Sequence, residues 1–333
     1  MASPSVIVAG ATGFTGALAA SLLWRHPDFR LEAVTARGEA GRRLDDVHPR
    51  HRVPLVLEAL DPDRHGAMDA AVVAYPHGAS APVVAALRER GARVVDLSAD
   101  FRLRDMQTYE RWYGPHGAPD LAAAGVYGLT ELYRDAIATA DLVANPGCYP
   151  TATVLALAPL AQAGLIADVV IDAKSGVSGA GRTPTEATHF SSAGENVTPY
   201  GVDGHRHAPE IDEQLATLGA PVVAQFTPHL VPLDQGELVS CYVTPSRALS
   251  GEELAQLYDT AYADEPFVEV VERPPGVRDV RETNICRMAV RVDARTGKLL
   301  VFAVIDNLWK GAASQAVQNL NLMFGLPETT GLA

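Results

Sequence analysis

Only three cysteines, Cys148, Cys241 and Cys286, occur in 333 residues, and their spacing fits neither a disulfide framework nor a CxxC metal site. No metal is expected. Lysine is equally scarce, confined to Lys174, Lys298 and Lys310. No apolar run approaches the roughly 20 residues of a membrane-spanning helix, and the N-terminal MASPSVIVAGATG has no basic segment leading into a long apolar stretch. These absences predict a cytoplasmic protein with no membrane partner. Positive charge is also short: 27 Lys and Arg against 40 Asp and Glu give a formal net charge of -13, which repels nucleic-acid phosphates and anionic lipid. A small anionic substrate must then be met by local basic side chains or backbone N–H groups.

What the chain has is apolar material. Hydrophobic residues make up 47% and charged residues 20%, and 333 residues exceed what one ordinary core organises, so two domains are expected. Val6 to Ala9, Leu31 to Thr35, Ala71 to Tyr75, Arg93 to Leu97 and Asp141 to Ala144 alternate with helix-like stretches such as Ala17 to Trp24 and Pro82 to Arg90. That rhythm predicts an α/β domain with a parallel sheet. After Asn145-Pro146-Gly147 the texture changes to longer β-like runs at Val169 to Ala173, Val222 to Phe226, Leu238 to Val243, Cys286 to Val292 and Leu299 to Val304. A mostly antiparallel sheet in an α+β domain is the simpler reading there. Ala312 to Phe324 reads as a final helix.

Gly10-Ala11-Thr12-Gly13-Phe14-Thr15-Gly16 follows the first strand and opens a helix, the context in which glycines let a backbone approach a pyrophosphate. At the end of the second strand stands Thr35-Ala36-Arg37. An NAD-preferring site would offer a carboxylate there, whereas Arg37 suits a 2′-phosphate, so NADP(H) is the expected cofactor, with Glu39 as the nearby counter-argument. Short-chain dehydrogenases share the glycine spelling but need a Tyr four residues before a Lys. Val170, Ala294 and Asp306 occupy those positions, which excludes that mechanism.

Cys148 ends the NPG turn and enters the apolar stretch Thr151 to Leu160. A helix N-terminus stabilises a thiolate, and Pro150 fits a first helical turn. A thiol has a chemical reason to be there: a thioester accepts hydride far better than a carboxylate does. Cys241 and Cys286 lie in apolar runs, where a small buried hydrophobe is the ordinary role. Gly204-His205-Arg206-His207-Ala208-Pro209-Glu210 gathers two imidazoles just before a helix, and either histidine suits acid/base work near neutral pH.

The words GATGFTG, VVDLSADFRL, VYGLTEL, NPGCYPT, KSGVSGAGR, YGVDGHRHAPEI, FTPHLVP and IDNLWKGAASQAVQNLN stand in order over nearly the whole chain, which resembles the N-acetyl-γ-glutamyl-phosphate reductases. The resemblance implies NADPH-dependent reduction of an acyl phosphate to an aldehyde through a Cys148 thioester, in arginine biosynthesis. It implies a Rossmann dinucleotide-binding domain over 1–147 and 308–333, with the C-terminal helix returning to it, and a substrate and oligomerisation domain over 148–307. A homotetramer or dimer is expected. His205 is implied as the acid/base in preference to His207, with Arg102, Arg206, Glu210 and Asn145 at the substrate. Gly10, Thr12, Gly13, Phe14, Thr15 and Gly16 would hold the pyrophosphate, Thr35 and Arg37 the adenosine end, and Ser175, Gly176 and Asn307 the nicotinamide. Pro76, His77 and Gly78 would line the cofactor cleft. One departure stands out: where the family usually reads Arg-Gly-Ile after FTPHLVP, this chain reads Asp234-Gln235-Gly236-Glu237. A reductase of the same architecture acting on aspartyl or carrier-linked aminoadipyl phosphate is the enzyme alternative, and a non-catalytic NADP-binding module or a scaffold the others.

Overall fold

The computed structural model describes residues 3–65 and 67–332, which divide into two compact units, Met1–Gly147 with Ala312–Ala333, and Cys148–Gly311.

In the first unit the strands are β1 (Ser5–Ala9), β2 (Arg30–Thr35), β3 (Leu57–Glu58), β4 (Ala70–Val73), β5 (Arg93–Asp96), β6 (Val126–Tyr127) and β7 (Leu142–Ala144). They form one parallel sheet in the order β3-β2-β1-β4-β5-β7-β6. Val6, Ile7, Val8 and Ala9 have no exposed surface, as the central strand of a doubly covered sheet requires. The helix Phe14–Trp24 crosses from β1 to β2 and the helix Ala81–Glu89 from β4 to β5; Gly91, at φ +93°, ends the latter. Strand order reverses at β1, so the segments leaving β1 and β4 flank the topological switch point, where such sheets bind their ligands. β3 and β6 have two residues each, too few for periodicity to reveal.

The final helix, Ser314–Met323, packs within this unit on the helices Thr130–Ala138 and Phe14–Trp24 and on β5. Its Asn319 is fully buried: Nδ2 donates to Gly128 O at 2.9 Å and to Asn145 Oδ1 at 3.1 Å, while Oδ1 accepts from the Thr130 hydroxyl at 2.8 Å.

The second unit opens with the helix Cys148–Gln162, in which every residue from Tyr149 to Ala161 is buried. Such a helix shows no apolar stripe because all its faces are covered. Its sheet comprises β8 (Ile166–Ser175), β9 (Thr198–Pro199), β10 (Gln225–Leu230), β11 (Glu237–Pro245), β12 (Val268–Val270), β13 (Cys286–Val292) and β14 (Leu299–Ile305), in the order β12-β13-β14-β11-β8-β10-β9. The sheet is mixed: β10 with β8 and β12 with β13 run parallel, the other four pairs antiparallel. β8 reaches β10 through a long connection that contains the helix Ala208–Thr217, and such a crossover permits parallel pairing.

The strand expected from Val222 begins only at Gln225. Ala224 N–H is taken by Asp212 Oδ1 at 2.9 Å and Val222 N–H by Ala220 O at 2.8 Å, which leaves both out of the ladder. By compactness the chain rejoins the first unit at Ala312. Asp306 holds the intervening turn to β14, accepting Leu308 N–H at 2.9 Å and Trp309 N–H at 3.2 Å on Oδ1 and Gly311 N–H at 3.0 Å on its carbonyl. Among the described residues no helix is long and apolar enough to cross a membrane.

Candidate active site

The glycine loop is built by the backbone around it. Gly10 N–H and Ala11 N–H both donate to Thr35 O, at 3.1 and 2.9 Å, anchoring the loop to the end of β2. Gly10 sits at φ +91°, and a Cβ there would lie 2.7 Å from Ala74 O; at Gly16 it would lie 2.3 Å from Gly10 O. Those two glycines are required by packing. Gly13 is not: a Cβ would meet only Gly10 O, at 4.0 Å. Gly13 is the N-cap of Phe14–Trp24 with no side-chain cap, so the loop leaves an uncrowded surface before free helical N–H groups, which fits a pyrophosphate. Thr12 O accepts from His48 Nε2 at 2.9 Å, and Thr15 stands in the first turn of the helix.

Thr35 is fully buried at the end of β2, whereas Arg37 is exposed and lies over the Tyr75 ring, 4.9 Å from its centroid. Glu39, the competing carboxylate, is engaged with Arg42 at 2.8 Å. The segment after β4 is held by Asp100, a residue the sequence reading passed over: it accepts Gly78 N–H at 2.7 Å, Ala81 N–H at 2.8 Å and the Tyr109 hydroxyl at 2.9 Å. His77 Nδ1 accepts Ala99 N–H at 2.9 Å, and Pro76 O accepts Ala79 N–H at 3.0 Å. Pro76, His77 and Gly78 thus form one braced turn.

Arg102 and Asn145, both expected at the substrate, lie just before Cys148 in the fold of the first unit. Arg102 is buried, with Nε donating to Asn145 O at 2.7 Å and Nη2 to Leu97 O at 2.8 Å. Asn145 is fully buried, donating to Ala312 O at 3.2 Å and accepting from Asn319. Both side chains bond to the backbone on either side of the turn into Cys148. Arg206 is exposed, and Glu210 is buried in the first turn of the helix Ala208–Thr217.

Cys148 is the first residue of its helix and the only one of the three cysteines that is not buried. Burial raises the Cys241 thiol to about 12, which suits an inert core residue. Next to Cys148, the buried Tyr149 ring packs edge-on against His205, His207 and Phe226 at centroid distances of 5.8, 5.9 and 5.3 Å. Its hydroxyl accepts from Tyr200 at 3.1 Å, and burial raises both phenols. The His205 ring also meets Tyr200 at 5.5 Å and His207 at 4.9 Å. His205 Nδ1 accepts His207 N–H at 3.1 Å, so the neutral ring carries its proton on Nε2. Burial, with a smaller contribution from the Arg206 charge, lowers His205 to about 4. The imidazole is therefore neutral at physiological pH. The aromatic packing around it comes from residues far apart in the chain, in three separate motifs whose meeting only the fold reveals.

The segment Asp234–Glu237 is locked in place by Asn307. Asn307 Oδ1 accepts Gly236 N–H at 2.8 Å and Nδ2 donates to Ser178 Oγ at 3.0 Å, so this amide already serves the protein on both ends. Gly176 is required there: a Cβ would sit 2.6 Å from Asp234 O, and its N–H donates to Gly236 O at 3.0 Å. The neighbouring Ser175 is buried, its hydroxyl turned to Gly176 O at 3.3 Å. Asp234 faces Arg281 at 3.5 Å, Gln235 is buried, and Glu237 is fully buried at the start of β11. Among the described residues no group of three His, Cys, Asp or Glu side chains is placed to hold a metal ion.

Residues 5–140 match the profile "Semialdehyde dehydrogenase, NAD binding domain", and residues 148–307 match "Semialdehyde dehydrogenase, dimerisation domain". Over 98% of its length the chain is 49% identical to the N-acetyl-gamma-glutamyl-phosphate reductase of Moorella thermoacetica, covering 96% of that protein. It is likewise 49% identical over 98% of its length to the enzyme of that name from Alkalilimnicola ehrlichii, again covering 96%. Among solved structures, aspartate semialdehyde dehydrogenase II from Vibrio cholerae, complexed with ASA, superposes with a TM-score of 0.73 at 19% identity, over 97% of this chain and 98% of that one. Aspartate semialdehyde dehydrogenase from Candida albicans, with NADP, gives a TM-score of 0.70 at 15% identity, over 96% and 98%. At those identities the superpositions show a shared fold.

Proposed function

The chain belongs to the N-acetyl-γ-glutamyl-phosphate reductase family, and from that premise we propose that it reduces N-acetyl-γ-glutamyl phosphate to N-acetyl-L-glutamate 5-semialdehyde with NADPH, releasing phosphate, in arginine biosynthesis. The observation that carries the mechanism is the partly exposed Cys148 at the head of an otherwise buried helix, where the positive end of the helix dipole favours both a thiolate and an incoming acyl phosphate.

The thiolate attacks the acyl carbon, the carbon–oxygen bond to phosphate breaks, and a thioester remains on Cys148. Bound NADPH supplies the hydride that this thioester accepts. The resulting oxyanion, held by a hydrogen bond, re-forms the carbonyl and expels the Cys148 thiolate, giving the aldehyde. His205, with Nε2–H outward from its bond to His207, is the donor in this scheme, and Tyr149, Tyr200 and Phe226 keep its ring in one orientation. Arg206 supplies positive charge for the substrate, and Glu210 braces the helix behind it. Arg102 and Asn145 position the Cys148 turn.

Gly10, Thr12, Gly13, Phe14, Thr15 and Gly16 would hold the pyrophosphate, supported by the room left at Gly13. Thr35 and Arg37 take the adenosine end, and Arg37 on Tyr75 favours a 2′-phosphate. Ser175 and Gly176 serve the nicotinamide side, with Asn307 fixing the loop behind them. We place the enzyme in the cytoplasm as a homo-oligomer, a dimer or tetramer, in keeping with the dimerisation domain it matches.

The test is the reverse reaction: NADPH formation from N-acetylglutamate semialdehyde, NADP and phosphate, with aspartate semialdehyde as control. Wild-type turnover should require phosphate and vanish in Cys148→Ala. Turnover that survives in Cys148→Ala sinks the thioester mechanism, and preference for aspartate semialdehyde overturns the substrate.

A further inference from the structure

The turn that follows β14 contains a glycine to which the mechanism above gives no part. Trp309–Ala313 is a π-helical turn, and its defining bond runs from Gly311 N–H to Asp306 O at 3.0 Å, five residues back where an α-helix would reach four. The turn is wider by that residue, and the buried Gly311 lies directly against the nucleophile. A methyl group on Gly311 would stand 2.8 Å from Cys148 Cβ, 3.3 Å from Cys148 Cα and 3.2 Å from Ile305 Cδ1. No Cβ tolerates a neighbour inside 3.0 Å unless something moves, and Cys148 Cβ, tied to its backbone, is no flexible side-chain tip.

Backbone conformation does not explain this glycine. Gly311 lies outside the left-handed region, so an alanine could adopt its φ and ψ. What the position forbids is a side chain, and the atom in the way is the carbon that carries the thiol. The turn is also the firmer partner in the contact. The Asp306 carboxylate accepts Leu308 and Trp309 N–H on Oδ1 and Glu282 N–H on Oδ2 at 2.9 Å, and Asn307 spans Gly236 N–H and Ser178 Oγ. Lys310 is fully buried, with Nζ 5.7 Å from the centroid of the Phe267 ring. Cys148, by contrast, is partly exposed at the first position of its helix. A side chain at 311 is therefore accommodated by displacing Cys148, and a misplacement of about 1 Å at a reacting centre costs on the order of 100-fold in rate.

We infer that Gly311 is a positioning residue for the Cys148 nucleophile: the bare backbone of the π-helical turn buttresses Cys148 Cβ and fixes where the sulfur stands when the acyl carbon arrives. Its role is exerted through Cys148 and needs no contact of its own with substrate or cofactor. The inference rests on Cys148 being the nucleophile, and the Cys148→Ala control tells the failure of one from the failure of the other.

The experiment places Gly311→Ala in the full-length protein and, as a second background, in Cys148→Gly, which lacks the opposing Cβ. Thermal midpoints followed by circular dichroism read the contact. Gly311→Ala should lower the midpoint by roughly 5 °C in the wild-type background and leave it unchanged in Cys148→Gly. Equal losses in the two backgrounds place the clash elsewhere and overturn the proposal. The reverse reaction, run well below the midpoint, reads the positioning. The kcat of Gly311→Ala should fall at least about 10-fold while its KM for NADP stays within about twofold of wild type. A kcat within about twofold of wild type overturns the role, as does a KM for NADP that rises in step with the fall in kcat, the mark of general loosening. Should Gly311→Ala alone not fold, folding recovered in Gly311→Ala with Cys148→Gly supports the buttress, and failure of both overturns it. Turnover that survives in Cys148→Ala removes the nucleophile and its buttress together, whereas a dead Cys148→Ala beside a fully active Gly311→Ala removes only Gly311.

Discussion

Two carboxyls in one unit, Glu237 and Asp306, show how little separates a charged group from a neutral one in a protein interior. Both are fully buried, and the difference lies in backbone donors: three for Asp306 and none for Glu237. A stability prediction follows with a definite sign. Glu237 is raised from 4.5 to about 8 by folding, so between those values the folded chain binds more protons than the unfolded one, and stability falls as pH rises through that window. Glu237→Gln removes this slope and should be more stable than wild type at pH 8 by on the order of a few kcal/mol, with little difference at pH 4.5. Asp306 and Asp96, both raised to about 6, keep their own part of the slope in either protein. Urea melts at the two pH values decide; an equal difference at both would mean that Glu237 is charged in the native state. At this scale the sequence was readable where chemistry restricts residue type. Cys148 and the glycine loop announce themselves. Glu237 does not, because its burial depends on where β11 begins, and the same segment reads first as a missing arginine.

Elements here are shaped by single atoms that their own sequence cannot supply. Pro159, inside the helix Cys148–Gln162, has no N–H to give the Leu155 carbonyl, and the Tyr262 hydroxyl takes that place, while Tyr258 donates to the next carbonyl, Ala156. The helix start before Phe14–Trp24 separates folding from binding. Gly16→Ala puts a methyl group 2.3 Å from Gly10 O, and a loss of about 3 kcal/mol or more is expected in thermal unfolding. Gly13→Ala meets nothing closer than 4.0 Å, so stability should change by no more than about 1 kcal/mol, while the NADPH dissociation constant rises at least about 10-fold in a fluorescence titration. Unchanged NADPH affinity in Gly13→Ala would take the loop out of cofactor binding. Long strands were legible because apolar runs of five or more residues report burial directly. β3, β6 and β9 were not, since two residues show no period, nor was β12, whose central Glu269 breaks the apolar run that marks the equally short β7; the start of β10 was displaced by the side chain of Asp212.

For the whole molecule, the change of texture at Asn145-Pro146-Gly147 gave the boundary, and the resemblance gave the return of the last helix. The turn over 308–311 is held by the hydrogen bonds of Asp306, which no pattern encodes. In solution the species should be heavier than the 35.3 kDa chain, by light scattering on a size-exclusion column; a monomer across micromolar concentrations would remove the oligomer from the proposal. The return of the final helix also sets an order in time. A ribosome that has released the first 147 residues has not yet made what the first sheet needs, because Asn319, the partner of Gly128, Thr130 and Asn145, is synthesised only after the whole second unit. The nascent first domain must wait, open on one face, while the entire second domain emerges, and the arrival of the helix Ser314–Met323 is the event that seals it.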